Sequence, residues 1–480
     1  EGVGRFFRAL FYFDKVKTFG AVPYYDHTID ATDKEALYKD RDNREYVAGK
    51  ILEDLNYACE NCLPDAKYRM RASYIHKYVA LALKARFCLY EGTMRKYHVN
   101  DPSTDKPWTK DESRMYLEEC VKACEEIINS GVYSLTDNPS ARKTQYRDMF
   151  INADACGTYT NEFIWARDYD IDLQVTYSIN DYMVNPQHAN YAFTRQFINT
   201  YLMTDGTPFT SKYTDCNSVD FVTECADRDY RLAQTIRTPG FMRDNGTTSW
   251  APDVKFSKTG YQPVKWLTDD SSKDSNTAAI ASDVPLMRYA EVLLNYAEAK
   301  LGEMNEDVWN KTIKPLRERS GVTSVYPSEA DPYMVEYFQN RVTDPYILEV
   351  RRERGIELTM ENVRYHDIIR WHQGELFARP WMGLWIQATE TPLDLNNDGT
   401  PETMVTNDVR KTSTLNLLMI DNASEAGHKL SNGTSGNILP ATALQRNWHD
   451  YKYVRPVPAT AIQENPNLSQ NPGWKNVYKK

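Results

Sequence analysis

Apolar positions recur at helical spacing in two blocks of this chain. The first covers residues 1–19, 44–62, 73–94 and 113–130, and the second covers 286–303, 305–319, 343–360 and 363–374. In the opening segment Phe6, Leu10, Phe13 and Val16 mark the buried side, and Gly20 is a stop signal. The segment SYIHKYVALALKARFCLYEGTM, 73–94, offers Ala80, Ala82 and Ala85 as small packing positions. The most informative stretch is MRYAEVLLNYAEAKL, 287–301. As a helix it gathers Arg288, Glu291, Asn295 and Glu298 into one narrow polar stripe, and nearly everything else is apolar or alanine. Ala290 and Ala297, two turns apart, let another helix come close, so this helix is expected to be buried by other helices. Taken in order, the blocks predict a mainly α protein with a scaffold of four helix pairs resembling tetratricopeptide repeats, without the strict 34-residue pattern.

The stretches between and after the blocks differ. Residues 131–284 are rich in Tyr, Asn, Asp, Thr and Gly, with short apolar runs such as FIWA at 163–166, and 376–450 has the same character. Both read as irregular loops with short strands and helices. The expected organisation is an N-terminal helical part (1–130), a loop-rich ligand-binding lobe (131–284), a C-terminal helical part (285–375), and a loop-rich insertion with the tail (376–480). No flexible linker separates them, so they form one fused unit.

A net charge of −10 over 480 residues argues against nucleic acid or an anionic membrane as the main partner. No apolar run approaches the roughly 20 residues needed to span a bilayer. The 33 tyrosines and 10 tryptophans change the picture more. Aromatics in polar loops suit flat, hydroxyl-rich ligands, because ring faces cover sugar C–H groups while nearby Asn, Asp and Arg bond the hydroxyls. Trp250 is the leading platform residue, since it follows the polar loop RDNGTTS. Arg243 and Asn245 share that loop and could bond hydroxyls, and Tyr213 and Tyr326 sit in similar surroundings. Trp381 and Trp385, in ARPWMGLWI, have apolar company and read as core.

Several motifs carry both a chemical and a plainer structural reading. Glu357, Glu361, Arg364, Asp367 and Arg370 each lie within helical reach of the next and read as a buried ion-pair network rather than catalytic carboxylates. Glycoside hydrolysis needs two carboxylates roughly 5–10 Å apart; among 67 acidic residues such a pair stays open. There is no HExxH, GxSxG or GxxxxGK[ST]. His366 and His372, six apart, do not share a helix face. Cys59/Cys62 and Cys120/Cys124 sit at helical spacing, about 5–6 Å at Cβ and too far for a relaxed disulfide. They read as buried small hydrophobes, with a four-cysteine zinc site as the alternative. The loop DLNNDGTPE, 394–402, places Asp394, Asn396 and Asp398 before Gly399, as in the first half of a calcium loop. Position 12 is Val405, and Glu402 at position 9 could partly substitute. A structural Ca2+ is therefore possible and no cofactor is required.

Seven segments in order resemble the SusD/RagB family, the surface glycan-binding lipoproteins of Bacteroidetes: FFRALFYFDKVKTFGAVPYYD (6–26), KARFCLYEG (84–92), FINTYLMTDGTPF (197–209), DRDYRLAQTI (227–236), MRYAEVLLNYAEAK (287–300), RRERGIELTMENVRYHDIIRW (351–371) and YVRPVPATAIQENPNLSQNPGW (453–474). The resemblance implies a non-catalytic, lipid-anchored protein on the outer membrane. Such a protein holds an oligosaccharide over a SusC-like TonB-dependent transporter and passes it in. By rough position, Trp250, Tyr213 and Tyr326 resemble where the family places stacking aromatics, and Trp266, in PVKWL, looks like a structural, packed position of the family. The family's signal peptide and lipid-bearing cysteine would precede residue 1, so the chain is expected to be N-terminally truncated. Three rivals remain: a peptide-binding lid of the RagB type, an α-helical glycoside hydrolase, and a scaffold that only caps a barrel.

Overall fold

Four long helices open the fold: α1 (Gly2–Phe19), α2 (Arg44–Asn61), α3 (Lys77–Tyr97) and α4 (Ser113–Asn129). The structure is a computed structural model that describes residues 1–480 except 64–65, 189–190, 301, 422–427, 441–445 and 476–480. α1 packs on α2, α2 on α3 and α3 on α4. Phe6, Ala9, Phe13 and Val16 of α1 face this core, while Leu10 is only partly buried. At Gly92 of α3 an added Cβ would come 2.9 Å from the Leu117 side chain, so glycine sets the α3–α4 approach. α1 stops at Gly20, whose φ of +74° and closeness to Ser103 exclude a side chain.

The second helical block departs from expectation at its start. Residues 284–288 are not helical: β1 (Phe163–Arg167) pairs antiparallel with β2 (Val284–Arg288), and helix α5 begins only at Tyr289 and runs to Ala299. Pro285 sits readily at the start of a strand, and pairing with β1 holds 284–288 extended. Arg288 becomes the extended residue before the helix. The segment 305–319 was also expected as one helix. It breaks at Thr312 into Glu306–Lys311 and Ile313–Glu318. Pro315 cannot donate to the Lys311 carbonyl, which removes the bond that would carry the helix through. α6 (Pro345–Glu357) starts with Asp344 accepting the Ile347 N–H at 3.0 Å and Pro345 in the first turn. α7 (Arg364–Arg370) follows. α5 packs on α4 and α6, and α7 packs on α3, so the two helical blocks form one stack.

The loop-rich segments share a core. Ile198, Tyr201, Leu232, Ile236 and Tyr261 of the first pack with Leu384, Val405, Leu418 and Ile438 of the second, and with Ile356 of α6. The second contributes two small three-stranded sheets. Charged groups buried beneath this lobe tie it to the helices. Glu357 accepts from Arg231 (2.7 Å), Arg288 and Arg319; Glu162 accepts from Arg288 (3.0 Å) and Arg319 (2.8 Å); and Glu361 pairs with Arg288 and Lys265. A second knot joins Asp367 to Arg354 and Arg370, and Arg370 to Glu298. Arg364 departs from the expected network. It forms no ion pair among the described residues; its guanidinium lies 5.7–6.0 Å from the rings of Tyr337, Phe338 and Trp371. No helix among the described residues is long and apolar enough to cross a membrane.

Candidate functional site

A two-stranded ribbon carries Trp250. Met242–Arg243 pairs antiparallel with Thr248–Ser249, and the turn between them has positive φ at Asp244 (54°), Asn245 (58°) and Gly246 (77°). An Asp-Asn-Gly turn is built for this, because all three residues tolerate the left-handed region. The Asp244 carboxylate anchors the turn by accepting from the Ser271 N–H and hydroxyl, both at 2.8 Å. Asn245 stands exposed at the tip.

The reading of Arg243 as a hydroxyl donor is corrected. Its side chain is buried, and its guanidinium donates to the Thr268 carbonyl and to Asp274 at 2.6 and 2.8 Å. It is committed to the protein and positions the ring beside it. The Arg243 and Arg237 guanidinium groups lie 4.8 and 5.0 Å from the Trp250 ring centroid. Burial, with Arg243 alongside, lowers the Arg237 pKa to about 10. Trp250 itself is half-buried, and its indole N–H has no hydrogen-bond partner among the described residues.

The two tyrosines sit elsewhere. Tyr213 follows the short helix Phe209–Lys212 and tilts onto Phe209 at 5.0 Å. Tyr326 is half-buried at the edge of the C-terminal helical core, edge-on to Trp309 at 5.8 Å and stacked toward Tyr346. Neither ring contacts Trp250 among the described residues. Trp266 is packed against Phe150, as its likeness to a structural position of the family implied. Trp381 is corrected: it is 43% exposed, with the Arg446 guanidinium 4.1 Å from its centroid. The flanking Arg379-Pro380 was the signal for a surface turn there. Trp385 is half-buried in a strand.

The acidic loop abuts the ribbon. The Asn396 amide donates to the Ser249 hydroxyl at 3.1 Å, and the Gly240 N–H donates to the Asn396 carbonyl. Asp394 accepts from the backbone of Asp398 and Gly399, and Asp398 accepts from Thr400 at 2.8 Å. The carboxylates of Asp394, Asp398 and Glu402 lie within 4.8 Å of one another. One Glu402 oxygen accepts from the Leu395 N–H at 3.0 Å, while the other is buried without a partner. Burial, then Asp394 and Asp398, push the Glu402 pKa up. Clustered oxygens with one orphaned carboxylate oxygen match the donor set of a hard cation. Val405, at the twelfth place, lies buried in the strand Thr403–Thr406 and offers no ligand.

Similarity to known proteins follows the same outline. A SusD-like protein P2 of Formosa agariphila is 24% identical over 387 residues; the match covers 78% of this chain and 65% of that protein's length. A solved SusD-like protein of Bacteroides fragilis superposes with a TM-score of 0.66 at 23% identity, covering 98% of this chain and 79% of the other. A SusD-like carbohydrate-binding protein of the same organism gives 0.64 at 20% identity, covering 97% and 78%. The helical stack and the loop-rich lobe are therefore a shared fold. The model of the SusD family matches residues 161–474, from β1 through the loop lobe and the buried Arg/Glu knots to the tail, and the chain belongs to the SusD family.

Proposed function

We propose that this protein binds a glycan at the outer-membrane surface, without cutting it, and hands it to a SusC-like TonB-dependent transporter, held there by a lipid anchor. Its family membership supports the reading, as does the carbohydrate-binding name of one structural neighbour. The observation that carries it is the 242–250 ribbon, where a half-buried indole stands beside an exposed asparagine on a turn anchored by Ser271. Rigid backing suits stacking, since little entropy is lost when a sugar settles on a ring already in place. Trp250 and Asn245 are the proposed contacts and Arg243 the positioning residue. Tyr213 and Tyr326 extend the surface only if the ligand is long.

The Glu357 carboxylate at the centre of the buried Arg/Glu network is not suited to act as a general acid. Burial alone would raise the Glu357 pKa, but Arg319, Arg288 and Arg231 outweigh it and hold the carboxylate well below its usual range. A general acid requires the opposite shift.

The test is native affinity electrophoresis against a polysaccharide panel, with Trp250→Ala beside the parent. One glycan class should retard the parent, with at least tenfold weaker retention in the variant, about 1.4 kcal/mol. Retention unchanged by the substitution would discard the ribbon as the site; no retention by any glycan would shift the reading to peptide cargo. We further propose that Asp394, Asn396, Asp398 and Glu402 hold a structural Ca2+ that pins the loop against this ribbon.

A further inference from the structure

A cavity of about 390 Å3 lies where α1, α3, the β1–β2 pair and the 360–367 turn meet. None of the ribbon residues lines it. Its size falls within the range of small-molecule sites, near the volume of one or two sugar units. Trp165 and Trp266 contribute aromatic wall, and Trp165 is only half-buried.

Most charges at the wall are already closed. Arg86 donates to Glu291 at 2.7 and 2.6 Å, Arg354 and Arg370 are held by Asp367, and Glu361 is held by Arg288 and Lys265. Lys17 is the exception. Its ammonium makes no hydrogen bond among the described residues, the nearest carboxylate is Asp14 at 3.8 Å, and the Phe13 ring lies 4.8 Å away. Burial, with Arg86 alongside, lowers its pKa to about 8. His366 also faces the cavity with a buried, unpaired Nδ1. Lys17 is largely buried and its ion pair to the exposed Asp14 is long, so its charge is poorly compensated, and a bound anion relieves that cost. An unpaired imidazole nitrogen and aromatic walls suit a ring that carries hydroxyls.

We infer that this cavity binds an acidic sugar unit, a uronic acid, with its carboxylate on Lys17 and its ring against Trp165. A purely apolar ligand leaves Lys17 and His366 unmet, and a bare inorganic anion leaves the indole wall unused. A sugar carboxylate meets all three demands. The site is separate from the Trp250 ribbon, so either can fail without the other.

The experiment is isothermal titration of the whole chain with D-glucuronate, D-galacturonate, D-glucose and acetate at pH 7, repeated on Lys17→Met. Methionine keeps the length and apolar stem of the lysine, so the unliganded melting temperature should hold or rise. One uronate should bind saturably, glucose and acetate at least tenfold more weakly, and Lys17→Met should raise the uronate Kd at least tenfold. Tryptophan fluorescence on the parent and on Trp165→Phe gives an independent arm: the uronate-induced change should shrink when that indole is gone. The inference is overturned by absence of uronate binding, by binding that Lys17→Met leaves intact, by acetate or glucose binding as tightly, or by an undiminished fluorescence change in Trp165→Phe.

Discussion

At the scale of single residues, the strongest forces here are arginine–carboxylate contacts out of reach of water. Glu357 receives three arginines that come from three separate segments, Arg231, Arg288 and Arg319. Removing one partner of a buried pair strands the others. Glu357→Gln keeps the shape and deletes the charge, so it should destabilise the fold by about 3–5 kcal/mol. Urea denaturation measures this; a loss within about 0.5 kcal/mol, as for an ordinary surface site, would show that the network is not structural. Residue-level expectations failed where spacing was taken as partnership. Arg364 sits within helical reach of Glu361 and Asp367, yet its guanidinium stacks among aromatic rings while its neighbours are claimed by Lys265, Arg288, Arg354 and Arg370. Arg243, placed in the ligand loop by sequence, is spent on Asp274, which is far away in the chain.

At the scale of elements, the helices were legible because burial imposes a period on the sequence, and the exceptions have local and tertiary causes. Pairing with β1 drew the expected first helical turn of α5 into a strand, and Pro315 divided the 305–319 segment. The acidic loop is the element whose role is most open to test. Its carboxylates converge within 4.8 Å and its Asn396 holds Ser249 of the ribbon. Millimolar Ca2+ should raise the melting temperature of the parent, EDTA should reverse the rise, and Asp398→Ala should abolish it. Saturation at 100 times Kd corresponds to about 2.7 kcal/mol of added stability. A parent melting curve that ignores Ca2+ would sink the proposal.

Across the whole molecule, buried ionisable groups set the response to acid. His76, His98 and His366 have pKa values lowered by burial to about 4, 3 and 4, with a nearby charge adding to each. Their unfolded forms take up protons near pH 6.5 while the folded forms do not, so stability is full above that pH and falls below it. The buried Glu91, Glu298, Glu349, Glu357 and Asp367 carboxylates are held low by arginines against the effect of burial, so their contribution is present above the ordinary carboxylate range and lost below it. Glu224 and Asp101, raised chiefly by burial, work in the opposite sense but are fewer. Melting temperature followed from pH 8 to 3 should decline first below about 6.5 and more steeply below about 4.5. A flat profile through the first window would contradict the neutral, buried state of the histidines.

The sequence by itself determined the helical stack and its small-residue crossings, because each is written in a local period of apolar and polar positions. Tertiary structure alone decided which arginine meets which carboxylate, that the two loop-rich segments share one core, that Trp381 faces solvent, and that Lys17 lines a cavity with only a long ion pair to Asp14. Those outcomes depend on residues hundreds of positions apart meeting in space, and in irregular loops no period records which ones will meet.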